Sequence, residues 1–518
     1  MLRKSIQLRS TNRSVSNVRS AVALGCALLL SFAATVACAA PTQRYQPEWT
    51  SIDSRPTPDW WSDAKFGIFI HWGVYSVPAF APRGEYAEWY WERIGKPGNP
   101  DPNSNDAKIR RETREFHARH YGDVFPYMNF AESFTADLFD AQQWARMFRN
   151  AGAKYVVLVS KHHDGFALWP SHEANASWGR PWNSVEVGPH RDIVGELSKA
   201  VRDDGLEMGF YFSLYEWFNP LWLSGDVDGY VERHLFPQFK DLVTRYSPSV
   251  IFSDGEWDLP SQRWRAPELL AWLFNDSPVA QHVVVNDRWG SDTRHRHGGY
   301  YTTEYGAGLP GATHAWEENR GLGHSYGFNR HEQLADYATR QQLLLTLIDT
   351  VSRGGNLLLN VGPTADGRIP VIMQDRLAYL GQWLKYNGEA IYGTRTFRDG
   401  AQWTQGRRQQ IDTSTNYRAR YDVEKLTLNP DPGDARKEIL FTRRGSVVYA
   451  ILPRYAQGEL VLRDVKLAQG ARISLLGSRH ENVSWKQRDA DVVICVPVVA
   501  DADLPFHGPR TFKVEGVQ

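Results

Sequence analysis

From Thr50 to about Arg395, short apolar runs alternate with amphipathic stretches, an order that predicts a β/α fold. The runs Phe66–Ile70, Tyr155–Val159, Met208–Phe212, Val250–Phe252, Val283–Val285, Gly299–Tyr301 and Leu357–Leu359 read as strands. Between them, Asp140 to Asn150, Asp192 to Asp204 and Glu332 to Arg353 read as helices, each opening on a carboxylate and stopping at Gly152, Gly205 or Gly354. A closed (β/α) barrel needs one strand more than these, so either one is missed or the barrel is irregular. Past Asn387-Gly388 the pattern changes. From about Asp422 the runs Ile439–Thr442, Val447–Leu452, Glu459–Leu462 and Val492–Val496 alternate with turn residues and no long helix, which predicts an antiparallel β-sandwich. The expected organisation is a β/α domain over 45–395 and a sandwich over 410–518, with Gly98–Asn105 as a surface loop of the first.

The N-terminus departs from both patterns. Arg3, Lys4, Arg9, Arg13 and Arg19 precede an apolar run from Ala21 to Ala34 and then Ala37-Cys38-Ala39, the order of an export signal over 1–39 cleaved after Ala39. Export to the periplasm or the outside follows. Acylation at Cys38 fits less well, because Thr35 stands where a branched apolar residue is usual; a retained anchor would be at the short end for a spanning helix. Cleavage removes Cys26 and Cys38 and leaves Cys495, which rules out an internal disulfide and cysteine-based zinc or iron–sulfur sites in the processed chain.

Lys+Arg and Asp+Glu both number 59 in 518 residues, so no cationic excess is available for nucleic-acid phosphates or an anionic membrane surface. A neutral partner fits better. The 20 Trp suit the C–H faces of sugars, although many of them must be core.

Chemistry gathers where the strand runs end. The runs lead into His71-Trp72-Gly73, Lys161-His162-His163-Asp164-Gly165, Tyr215-Glu216-Trp217, Asp254-Gly255-Glu256-Trp257-Asp258, Asn286-Asp287-Arg288-Trp289 and Glu304-Tyr305-Gly306. In a β/α barrel the carboxyl ends of the strands share one face, so these clusters would converge on one pocket. Taken singly each has a bland reading: a rim histidine, Asp254 as a helix cap, Arg288 in an ion pair with Asp287. Their recurrence in one structural place favours the pocket. His162-His163-Asp164 resembles ligand material, but neighbours on an extended chain point to opposite sides and no His-Glu-x-x-His occurs, so neither a metal nor another cofactor is expected. No Gly-x-Ser-x-Gly elbow occurs either. Carboxylates, imidazoles and aromatic rings without a metal suit glycoside hydrolysis, which needs one carboxylate to attack or activate water and one carboxylic acid to protonate the leaving oxygen.

At these residues the chain resembles the α-L-fucosidases of glycoside hydrolase family 29. The resemblance is carried by Trp61-Ser-Asp-Ala-Lys-Phe-Gly-Ile-Phe-Ile-His-Trp-Gly73, Glu88-Trp89-Tyr90, Lys161-His-His-Asp-Gly-Phe166, Ser213-Leu-Tyr-Glu-Trp-Phe-Asn-Pro220, Ser253-Asp-Gly-Glu-Trp257, Asn286-Asp-Arg-Trp289 and Gly355-Asn-Leu-Leu-Leu-Asn-Val-Gly-Pro-Thr-Ala-Asp-Gly367. It implies an irregular (β/α)8-like barrel with a C-terminal antiparallel β-sandwich, and exo-acting release of fucose with retention of configuration. By the same resemblance Asp254 is the nucleophile, and His71, Glu88, Trp89, His162, His163, Tyr215 and Arg288 hold fucose. The acid/base is Glu304, with Glu317 of Trp316-Glu317-Glu318 as its rival on the same long loop. Phe252 departs from the Trp many members have two residues before the nucleophile. The motifs resemble the broad-specificity branch that includes the animal lysosomal enzymes. The expected partner is a fucosylated oligosaccharide or glycoconjugate; a homo-oligomer is compatible, and the processed chain has no membrane span. The alternatives are α-L-galactoside hydrolysis on the same scaffold and an inactive sugar-binding protein.

Overall fold

The structure is a computed structural model, which describes residues 44–518 except 310, 312, 410–416, 419–420, 456, 499–505 and 507. The signal read over 1–39 and the start of the segment read over 410–518 lie outside the described residues. Eight strands, β1 (Phe66–Ile70), β2 (Tyr155–Lys161), β3 (Glu207–Ser213), β4 (Val250–Asp254), β5 (Val284–Val285), β6 (Tyr301–Glu304), β7 (Trp316–Gly321) and β8 (Asn356–Val361), form one parallel sheet. Their order is β5-β4-β3-β2-β1-β8-β7-β6. The two edges meet in a parallel bridge between Asn286 and Tyr300, where Tyr300 N donates to Val285 O at 3.0 Å. The sheet therefore curls into an irregular eight-stranded barrel.

Two-residue alternation sorts the side chains. Phe69, Tyr155, Val157, Tyr211, Phe252 and Tyr300 pack inside the curl, while Ile68, Ile70, Val156, Phe210 and Leu357 pack outward against the helices. The helices Ala141–Asn150 and Ile193–Asp203 start where expected because Asp140 and Asp192 accept from the third backbone N–H beyond them. The expected helix from Glu332 instead begins at Arg340, where Thr339 and Gln342 form a capping box. The Glu332 carboxylate accepts from the backbone N–H groups of His324 and Ser325 at 2.7 and 2.9 Å.

The strand that the apolar pattern overlooks is β7, Trp-Glu-Glu-Asn-Arg-Gly. Each of its three buried polar residues has a partner: Glu317 has Tyr155, Glu318 has Arg320 and Thr303, and Asn319 has Thr303 O and Tyr326. Burial of such residues is tolerable once each has a partner, and hydropathy cannot show that. β6 also runs later than expected, so that Glu304 ends the strand.

The C-terminal strands are β9 (Arg395–Trp403), β10 (Lys437–Arg444), β11 (Val447–Leu452), β12 (Gly458–Leu462), β13 (Leu467–Leu475), β14 (Trp485–Arg488), β15 (Asp491–Val496) and β16 (Arg510–Val517). They form antiparallel sheets β13-β16-β11-β10-β9 and β12-β15-β14. Ile439, Phe441, Val448 and Phe512 of one pack with Leu462, Val492 and Ile494 of the other, the shared core of a sandwich. Sandwich and barrel are tied by a buried ion cluster in which Asp349 of the helix Arg340–Ser352 accepts from Arg353, Lys437 of β10 and Tyr421.

Candidate active site

The carboxyl ends of the parallel strands open into a cavity of about 750 Å³. Strand alternation fills its walls: His71 follows inward-facing Phe69 by two, Asp254 follows Phe252 by two, and Glu304 follows Thr302 and Tyr300 in the same phase. Gly255, at φ 77°, turns the chain straight after Asp254; a Cβ there would lie 3.0 Å from Tyr215 Cβ and 3.0 Å from Ser213 Oγ in a conformation that L residues rarely adopt.

Asp254 is buried and gripped on both oxygens. Arg288 Nη1 donates to Oδ1 at 2.9 Å, Tyr211 OH donates to Oδ2 at 2.9 Å, and His163 Nε2 lies 3.6 Å from Oδ2. Burial alone would raise this carboxyl, but the cations, Arg288 foremost and then Arg294, outweigh it and hold Asp254 down at about 2. Arg288 also donates from Nη2 to Glu304 Oε2 at 3.2 Å and from Nε to Thr302 Oγ1 at 3.0 Å, with its guanidinium 4.9 Å over the Phe252 ring. Asp287 is not its partner: that carboxylate accepts from Thr302 Oγ1 at 2.7 Å and from His295 N at 2.9 Å.

Glu304 lines the cavity with its other oxygen accepting from Tyr86 OH at 2.9 Å. Glu317 does not line it. In the β6–β7 register Thr302 pairs with Glu317 and Glu304 with Asn319, so Glu317 sits two residues, about 6.6 Å, below Glu304 along the barrel. There it is fully buried against Tyr155 and Tyr300, which only partly offset the desolvation that pushes it up to about 8.

The three histidines are buried and neutral. Asn360 Nδ2 donates to Tyr326 O, which turns its Oδ1 toward His71 Nδ1 at 2.7 Å and fixes the proton there. Desolvation lowers His71 to about 3 and His163 to about 4, and lowers His162 as well. Ser213 Oγ donates to Tyr215 O at 2.5 Å and so accepts from His163 Nδ1, also at 2.5 Å. His71 and His163 thus present Nε2 lone pairs inward, while His162 Nδ1 is a buried ring nitrogen with no hydrogen-bond partner in the structure. Glu88 accepts from Gly327 N at 2.8 Å, and burial pushes it up to about 7. Trp89 closes one side, 5.9 Å from the His163 ring.

Tyr215, like Glu317, is a sequence-picked residue that the cavity does not include. Its hydroxyl accepts from Lys96 at 2.6 Å and its ring packs on Trp222. Glu216 and Trp217 are turned inward too, Glu216 into a buried pair with Lys161 and His234. The tyrosine on Asp254 is Tyr211, a hydroxyl inside the apolar run of β3; reading inward from Phe252, its register partner, would have found it. Tyr86, Glu256, Trp257, Arg294, Asn319, Tyr326 and Tyr417 also line the cavity without having been singled out as site residues. Arg294 Nε donates to Glu256 at 2.6 Å. Among the described residues no group of three or more His, Cys, Asp or Glu side chains could hold a metal ion, and no helix is long and apolar enough to cross a membrane.

Comparison with known proteins fits this geometry. The Alpha-L-fucosidase family model matches residues 32–389. The chain is similar to the tissue alpha-L-fucosidase of Homo sapiens, 39% identical over 502 residues, which cover 95% of this chain and 96% of that protein. It is 47% identical over 365 residues to the alpha-L-fucosidase of Dictyostelium discoideum, covering 69% of this chain and 76% of the other. Among solved structures, the Thermotoga maritima alpha-fucosidase in complex with a mechanism-based inhibitor superposes with a TM-score of 0.69 at 34% identity, covering 91% of this chain and all of that one. With a family match over most of its length and relatives this similar, the chain belongs to the alpha-L-fucosidase family of glycoside hydrolases.

Proposed function

We propose that this enzyme releases terminal α-L-fucose from fucosylated glycans by double displacement, with Asp254 as nucleophile and Glu304 as acid/base. The observation that carries the reading is one guanidinium, Arg288, holding both carboxylates at the ends of β4 and β6 beside the same cavity. In the first step an Asp254 oxygen bonds to the anomeric carbon while the glycosidic bond breaks and the leaving oxygen takes a proton from Glu304. Water then attacks the same carbon, gives its proton to Glu304 and frees Asp254, with net retention. Neutral His71 and His163 can accept hydrogen bonds from sugar hydroxyls through Nε2, and the buried end they form suits a single terminal sugar, hence exo action.

Arg288, Tyr211 and Trp89 are the side chains we assign to the bound fucose region with them; Tyr215 supports from behind. No step requires a metal. The basic, apolar and small-residue order over 1–39 supports export, which the mature N-terminus, read by mass spectrometry, tests.

A chromogenic α-L-fucoside tests the whole reading. The wild type turns it over before and after dialysis against EDTA, and Asp254→Gly loses several orders of magnitude in rate, partly restored by azide. An Asp254→Gly variant with near wild-type turnover overturns the assignment.

A further inference from the structure

Tyr417 reaches the cavity from beyond β9, a part of the chain where no catalytic motif was read. Its backbone forms a parallel bridge with Glu304, and Arg418 N donates to Glu304 O at 2.8 Å. Arg418 also anchors to the other wall: its guanidinium lies 4.6 Å over the Tyr86 ring and donates to Gly84 O at 3.0 Å. Tyr86 in turn donates to Glu304 Oε1, and the Tyr86 and Tyr417 rings meet edge to face at 6.4 Å. The Tyr417 ring is thus held beside Glu304 from two sides, yet it is 43% exposed. Among the described residues the aromatic side chains most open to solvent are Trp257, Tyr386 and Tyr417, and two of these three line this one cavity.

An exposed ring next to the acid has a defined place in the reaction. The acid of a retaining glycosidase protonates the glycosidic oxygen, so the leaving group lies on its side of the scissile bond. The neighbouring charge, Arg418, lies 4.6 Å over the Tyr86 ring, 5.4 Å over the Tyr417 ring and 3.8 Å from Glu85, so it covers one face of Tyr417 and has a carboxylate beside it; the exposed part of the ring is aromatic and suits a neutral sugar. We propose that Tyr417 is the stacking wall for the leaving-group sugar, a neutral pyranose bearing the α-L-fucosyl unit. It sets the enzyme's preference for glycans over small leaving groups. The inference rests on Glu304 as the acid.

The test compares a fucosylated hexose disaccharide with α-L-fucosyl fluoride, whose leaving group is a single ion. In Tyr417→Ala the ratio of kcat/KM for the disaccharide to kcat/KM for the fluoride falls about ten-fold, and in Tyr417→Phe, which keeps the ring, it stays near the wild-type value. A ratio unchanged in Tyr417→Ala, whether both rates fall together or neither does, overturns the inference alone. If Glu304→Ala hydrolyses the disaccharide as well as the wild type does, the reading of the acid falls, and the inference with it.

Discussion

Asp254 and Glu304 accept hydrogen bonds from the two terminal nitrogens of one guanidinium, Arg288 Nη1 at 2.9 Å and Nη2 at 3.2 Å. Two carboxylates that share one guanidinium would repel one another without it. Arg288 lies between them as a fixed countercharge, its Nε seated on Thr302 and its plane on Phe252.

Replacing Arg288 by Met therefore moves the acidic limb of kcat/KM to higher pH. Burial raises Asp254 while Arg288 is the strongest of the groups lowering it, so loss of the cation leaves desolvation in command and the nucleophile becomes protonated at less acidic pH. A pH profile on an aryl fucoside reads the shift. An unmoved acidic limb would show that Arg288 does not set the charge of Asp254.

Glu304→Ala hydrolyses fucosides with good leaving groups far better than natural ones, because the proton donor is gone while the nucleophile stays. Glu317→Gln keeps the wild-type preference, since Glu317 lies a layer below the cavity among Tyr155 and Tyr300. The opposite pattern would hand the acid's role to Glu317.

The same burial makes Glu317 a determinant of stability. Its folded value of about 8 stands above the ordinary 4.5, so the folded state binds its proton more tightly. That contribution is fully present below pH 4.5 and is lost as pH rises toward about 8, by up to ~1.4 kcal/mol per pH unit. Thermal unfolding followed across this range should show a falling Tm in the wild type and a flatter one in Glu317→Gln. Parallel curves would contradict the buried neutral carboxyl.

His162→Ala and His163→Ala each remove a hydrogen-bonding group from a desolvated wall, at a cost in kcat/KM of about 1–3 kcal/mol. The fold survives, as circular dichroism can check. Unchanged kinetics in both variants would make the pair structural.

The barrel and much of its site were legible for one reason: buried parallel strands read as apolar runs, and polar residues at their ends stand out. That put His71, the His162-His163 pair, Asp254 and Arg288 at strand ends, and all of them line the cavity. It failed where burial is polar. β7 carries Glu317, Glu318 and Asn319 inward on partners supplied by other strands, so its sequence looks like a loop and Glu317 looks eligible beside Glu304. Tyr211 is hidden for the opposite reason, a hydroxyl on Asp254 inside an apolar run, and Tyr215, named through the resemblance, lies beyond the strand end, where alternation lapses. Tyr417 is far from every motif in sequence and comes to Glu304 through a backbone bridge, which no side-chain pattern signals.

The central claim is that Asp254 bonds covalently to fucose. Incubation with 2-deoxy-2-fluoro-α-L-fucosyl fluoride, in which fluorine slows both steps and the reactive leaving group favours the first, should accumulate the intermediate. Peptide mass mapping is then expected to find one 2-fluorofucosyl group on the peptide containing Asp254, with activity lost in proportion. Label on Glu304 or Glu256 instead, or time-dependent inactivation with no label on Asp254, would contradict it.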